Sequence, residues 1–244
     1  MDYLTDDEII KIILKRKKQK LRRKRTIRRV SLLVFLVFVV ILAIGIFINR
    51  GARTEARGII FINAAHGGVD AGSITKERYE KNDTLRFSLK VRDELQKQGF
   101  KVYTSRTKDK DVDIAARGKM ANKKKAELMI SIHRNKAVEG SGVEVYISSS
   151  NDKASRLLGK NIFNAMIKQG FERREIKAGT LLSSDEDYLE NSVPNMPSCL
   201  VELGFIQNKK DNQLFDDKID ENAKAFADAI VLTYAKLYEP EDIE

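Results

Sequence analysis

A single cysteine and only two histidines occur in the 244 residues, and three prolines interrupt them. One cysteine excludes an internal disulfide, so stability has to come from an ordinary core. Cys199 lies in "PSCLVELGF", where it reads as a small buried apolar residue rather than a nucleophile with a specified partner. No G-x-S-x-G elbow occurs, which removes that serine scheme. The glycines of "GSGVEVY", residues 140–146, lack phosphate-loop spacing and read as a turn into a strand. There is no internal repeat, and no low-complexity segment beyond one basic block.

Charge is unevenly spread. Residues 1–29 carry twelve Lys/Arg against four acids, a net of +8, which leaves only +2 of the total +10 for the other 215 residues. Next comes "VSLLVFLVFVVILAIGIFI", residues 30–48, which lacks charge altogether. About 20 such residues cross a bilayer, so 30–49 is expected to be one transmembrane helix. A cleaved signal peptide has a shorter apolar stretch, of about 7 to 15 residues, and a small-residue cleavage site, which "NRGARTEARG" does not supply. The expectation is an uncleaved signal anchor. The positive-inside rule then keeps 1–29 in the cytoplasm, against lipid headgroups, and places everything after residue 50 outside the cell. A basic run also suits nucleic acid, but this one abuts an apolar span and has no interleaved aromatics, so no nucleic-acid partner is expected.

Residues 50–57 read as a linker, and 58–240 as one folded domain. Strand-like and helix-like segments alternate there, which predicts an α/β fold with a mixed, mostly parallel sheet flanked by helices. Strands are expected at 58–64, 100–105, 127–132, 142–148 and 198–203. Helices are expected from Asn82 or Asp83 to about Gln98, from about 152 to 169, and around Ala223, Phe226, Ala227, Ile230, Val231, Tyr234 and Leu237, which recur at helical spacing. The polar stretch 171–197 gives no clear pattern and is expected to form loops that shape a groove.

Both histidines end apolar strands: "GIIFINAAHGGVD" reaches His66, and "AELMISIHRN" reaches His133. A lone strand-end imidazole is commonly just solvated or hydrogen-bonded. Two at the carboxyl edge of one sheet, where open α/β sheets bind ligands, suggest a metal pair. A catalytic zinc takes three protein ligands and keeps one position open. Glu80, 14 residues after His66, is a candidate third ligand, although an acid near a helix N-terminus is also common for its own sake. Glu202 sits inside "CLVELGF", where a carboxylate is costly unless paired or working, and near an activated water it would serve as a general base.

These residues, in order, resemble the zinc-dependent N-acetylmuramoyl-L-alanine amidases whose catalytic domain is called amidase 3. The series is His66-Gly67-Gly68 with Asp70 and Gly72; Tyr79-Glu80-Lys81; Ser105-Arg106 with Asp109; Arg117 with Ala121-Asn122; Ser131-Ile132-His133 with Asn135; Gly142-Val143-Glu144; and Val201-Glu202-Leu203-Gly204-Phe205 with Asn208. The resemblance implies one zinc on His66, Glu80 and His133, Glu202 as the catalytic residue, and peptidoglycan as substrate, cut at the amide between N-acetylmuramic acid and L-alanine. It also raises an alternative, a weak or inactive relative that binds or regulates the wall. Asn63-Ala64-Ala65 stands where the family usually has Asp-Pro-Gly. If that acid orients the histidine, Asn63 keeps a hydrogen bond but loses the charge.

Overall fold

The protein is described here by a computed structural model. It describes residues 56–239 throughout and, ahead of them, 18, 20, 22–24, 31, 32 and 34–41. Residues 1–55 and 56–244 form separate units. Of the first unit, the described residues at 31, 32 and 34–41 are helical with exposed side chains. Among the described residues no helix is long and apolar enough to cross a membrane. The remainder of the expected 30–49 span, and most of 1–29 and 50–57, lie outside the described residues.

The second unit holds six strands, all but the charged edge strand β5 rich in apolar residues: β1 Ile59–Ala64, β2 Lys101–Thr104, β3 Leu128–Asn135, β4 Val143–Ile147, β5 Arg173–Ala178 and β6 Ser198–Phe205. They make one sheet in the order β2-β1-β3-β6-β4-β5. All neighbours are parallel except β4 and β6. The sheet is thus mixed and mostly parallel, as expected. The helices are α1 Glu80–Lys97, α2 Ile114–Lys123, α3 Lys153–Lys168, α4 Leu189–Ser192, α5 Lys209–Asp217 and α6 Ile219–Tyr238.

Alternation along each strand sends successive side chains to opposite faces. Ile60, Ile62, Leu128, Ile130, Ile132, Val145 and Val201 join Phe87, Val91, Leu158, Ile162, Phe226 and Ile230 of α1, α3 and α6 in the larger core. Phe87 anchors it, with its ring centre 5.6 Å from that of Phe215 and 5.5 Å from that of Phe226. Phe61 and Met129, one residue out of phase, meet Ala121 and Ala126 in a smaller cluster on the other face.

Two expectations need correction. Residues 171–197 are not only loops: β5 and α4 lie there, β5 being an edge strand whose Arg173, Arg174 and Glu175 are exposed, which hides any apolar pattern. Helix α1 begins earlier than Asn82, at Glu80, after Tyr79 in extended backbone and without a side-chain cap. Asp83 is drawn away from capping because its carboxylate accepts from Arg78 and from buried Arg134. Helices α2 and α5 also went unread. They are short, and are capped by Asp113 and Asn208, whose side chains accept from Ala116 N and Asp211 N.

Candidate metal centre

The carboxyl ends of β1, β3 and β6 converge on one cavity of about 540 Å3, lined by His66, Gly72, Glu80, His133, Glu190 and Glu202 among others. His66 reaches it from a tight loop after β1. Gly67 N donates to Asp70 O at 2.8 Å and Asp70 N returns to Gly67 O at 3.1 Å. His66 itself has φ 58, an unusual value for a residue with a side chain. The loop is fixed from outside. Lys81 Nζ donates to Gly68 O at 2.8 Å and to Asp109 Oδ2 at 2.7 Å, while Gly68 N donates to Asp109 Oδ1 at 2.7 Å. The Arg106 guanidinium donates to the carbonyls of Ala64, Ala65 and Lys81. Lys81, Arg106 and Asp109, singled out in the sequence, therefore hold the first histidine's loop in place.

Glu80 opens α1 and is 3% exposed. Its Oε1 lies 3.2 Å from His66 Nε2 and 3.2 Å from His133 Nδ1, and accepts from Arg134 N at 3.0 Å. Its Oε2 accepts from Ser73 N at 2.8 Å. Burial alone would raise this carboxyl, but hydrogen bonds to both imidazoles hold it well below the usual carboxylate range. The two rings are 5.1 Å apart, edge to face. One donor atom from each of His66, Glu80 and His133 lies within 4.8 Å of the others. Two imidazole nitrogens and one carboxylate oxygen form the set used by open catalytic zinc sites. Gly72 fits the same purpose. At φ +64, a Cβ there would stand 2.6 Å from His66 Cδ2 and 2.7 Å from Glu80 Oε2, inside the cluster. The residues present thus fit a bound metal ion.

Each histidine shows its other nitrogen to a carboxylate. His66 Nδ1 lies 2.8 Å from Asp70 Oδ2, and His133 Nε2 lies 3.4 Å from Glu190 Oε1. Asn63 does not take that part. Its Nδ2 donates to Ser131 Oγ at 3.0 Å, and its Oδ1 is buried without a partner. The condition raised for Asn63, that the family's acid orients His66 from this position, is not met: the carboxylate beside His66 Nδ1 is Asp70, four residues along the loop.

Glu202 stands beside His133 in the parallel register of β3 and β6. Its Oε2 is sealed from solvent without a hydrogen-bond partner. Burial pushes its carboxyl up to about 7, with the charges of Glu80 and Glu144 adding and those of His133 and His66 opposing. A carboxyl poised near neutrality next to the donor cluster suits proton transfer at physiological pH. All four residues expected from the sequence thus share one cavity. Tyr188, Glu190, Ile114 and Leu200 also line it, and sequence reasoning had no hold on them. Glu190 lies among the polar residues "SSDEDYLENS", where nothing in one dimension marks it as buried.

Fold and site together define an α/β domain with a His-Glu-His group able to hold a metal ion at the carboxyl edge of its sheet. The sequence pattern of the N-acetylmuramoyl-L-alanine amidases matches residues 60–232, and the chain belongs to that family. It is 33% identical over 176 residues to the uncharacterized protein YqiI of Bacillus subtilis, covering 70% of this chain and 81% of that one. To the germination-specific N-acetylmuramoyl-L-alanine amidase of the same species it is 29% identical over 185 residues, 66% of this chain and 74% of that one. The crystal structure of an N-acetylmuramoyl-L-alanine amidase from Clostridium difficile 630 superposes with a TM-score of 0.67 at 27% identity, over 76% of this chain and all of that one. Membership makes the chain an amidase, a hydrolase of peptidoglycan.

Proposed function

We propose that this amidase holds one zinc ion on His66 Nε2, Glu80 Oε1 and His133 Nδ1, with Glu202 as general base, and that an N-terminal anchor holds it at the outer face of the cell membrane. The observation that carries the site is the three-donor cluster with the partnerless Glu202 carboxylate beside it. Zinc bound there would polarise the amide carbonyl and acidify a water, the chemistry that such ions supply to hydrolases. Glu202 takes the proton from the attacking water and passes it to the nitrogen of L-alanine as the amide C–N bond breaks. The products are the lactyl carboxylate on the sugar and a free stem-peptide amine. Glu80, fixed by Ser73 N and Arg134 N, keeps its charge toward the cluster throughout.

The weak or inactive alternative rested on Asn63. That residue hydrogen-bonds to Ser131 and to neither histidine, so the departure from the family pattern leaves the donors' hydrogen bonds intact. The full chain in detergent should contain about one zinc and free stem peptides from purified peptidoglycan. Stem-peptide release by metal-free protein, or undiminished release by Glu202→Gln, would overturn the assignment.

The anchor reading is supported by the uncharged run 30–48 and the basic 1–29 before it. It predicts that a reporter active only outside the cytoplasm works when fused after residue 57, and fails once residues 30–49 are deleted.

A further inference from the structure

Glu190 is the one carboxylate of the cavity that neither the donor cluster nor the base accounts for. Its side chain is 6% exposed, and among the described residues its one ion-pair contact is His133. The geometry of that contact is specific. His133 turns Nδ1 toward Glu80 Oε1 at 3.2 Å and Nε2 toward Glu190 Oε1 at 3.4 Å. Glu190 thus touches the nitrogen that faces away from the cluster. Helix α4, only four residues long, is pinned so that this carboxylate stays in place. Next to Glu190, Asn191 Nδ2 donates to Tyr146 O of β4 at 3.1 Å, and Asn191 Oδ1 accepts from Ser198 Oγ of β6 at 3.2 Å. Tyr188 stacks edge-on to Tyr146 at 5.3 Å. On the far side α2 closes in: a Cβ on Gly118 would stand 2.7 Å from Val193 Cγ1.

We infer that Glu190 is a positioning residue for the metal: it accepts the Nε2–H of His133 and so holds the neutral ring with Nδ1 free to ligate. This rests on the metal-centre reading above. A ligating imidazole must be neutral, and the hydrogen bond of one nitrogen decides which tautomer it adopts. A carboxylate behind a ligating histidine also raises its basicity, and losing it typically costs about 10- to 100-fold in metal affinity. Asp70 does the same for His66 from within its own loop, whereas the partner of His133 comes from 57 residues away.

Zinc affinity of the full chain, measured by competition with a chromophoric chelator, tests this. Glu190→Ala is expected to weaken zinc by about 10- to 100-fold. Glu190→Asp, which withdraws the charge from Nε2, should come close to that loss. Glu190→Gln keeps an acceptor oxygen at the same reach, so it should lose less than about 10-fold, with metal-free melting unchanged. The inference is overturned if alanine binds zinc as tightly as wild type, or if glutamine falls as far as alanine, since a direct ligand would behave in the latter way. Should alanine fail to fold, the aspartate and glutamine variants decide by the same criterion. Wild-type protein that binds no zinc would instead sink the metal-centre reading itself, so the two failures are distinguishable.

Discussion

The two histidines reach one cluster by opposite routes. His66 stands on a loop in left-handed backbone, and its orienting acid, its glycines and the third donor Glu80 all lie within 14 residues of it. His133 stands in a regular central strand, beside Glu202 in the register and backed by Glu190 from a separate short helix. The first half of the site draws its metal-facing groups from one stretch of chain, in which strained backbone is held by its own turn bonds and, from outside, by Lys81, Arg106 and Asp109. The second half exists only because three distant segments are brought together by sheet pairing. Damage to the first half, or to Glu190 behind His133, should therefore act on metal binding, and damage to Glu202 on the chemistry itself.

The largest effect is expected in the distant half. Glu202→Gln should cost about 100- to 10,000-fold in stem-peptide release, the usual range for a general base, while zinc content stays near one per chain. The same change should stabilise the metal-free protein. Burial raises the Glu202 carboxyl to about 7 in the fold, above its ordinary 4.5. The protonated form is thus favoured by folding, and wild-type stability is full below pH 4.5 and falls as pH rises through about 7. Glutamine has no such loss. Thermal melts at pH 8 should favour the variant by about 1 to 3 kcal/mol, whereas melts at pH 4 should not.

In the local half, Asp70→Ala should weaken zinc by about 10- to 100-fold through the freed His66 ring, with a smaller loss of stability beside it, because Asp70 is half-buried and its Oδ1 also accepts from Gly72 N. Equal zinc affinity in that variant would remove the parallel drawn between Asp70 and Glu190. Gly72→Ala forces a side chain into φ +64 and against His66 and Glu80. The left-handed backbone costs about 1 to 2 kcal/mol of stability with or without metal, while the added Cβ displaces His66 and Glu80 and should weaken metal binding by roughly 10-fold in the same titration. The smallest effect on the site is expected from Asn63→Asp, which restores the family's acid. Asn63 is fully buried and faces Ser131, so the change should lower stability by about 1 to 3 kcal/mol through burial of a charge and leave zinc affinity alone. A gain in affinity would mean that the acid reaches His66 after all.

How much could be read in one dimension follows the same division. Strands β1, β3, β4 and β6 and helices α1, α3 and α6 are long enough to show their periods, and their apolar residues are those of the observed core. Glu202 was legible because a carboxylate inside "CLVELGF" contradicts its neighbours. Glu190 was not, since its neighbours are polar and its burial comes from α2, β4 and β6 closing around it. Strand β5 was missed for a related reason: an edge strand with exposed charges has no hydrophobic signature. Whether Asn63 could stand in for the family's acid was not legible either, because neighbours in sequence alternate across a strand. Asn63 points to the face of Ser131, while the loop beyond Ala65 carries His66 elsewhere.

By itself the sequence set the α/β class and singled out His66, Glu80, His133 and Glu202, which the fold brings to one cavity, because strand periodicity and misplaced polar residues are local properties. Which carboxylate stands behind each imidazole was decided only by the tertiary structure. A hydrogen bond of about 3 Å depends on sheet register and on the seating of a four-residue helix, and no spacing along the chain encodes either.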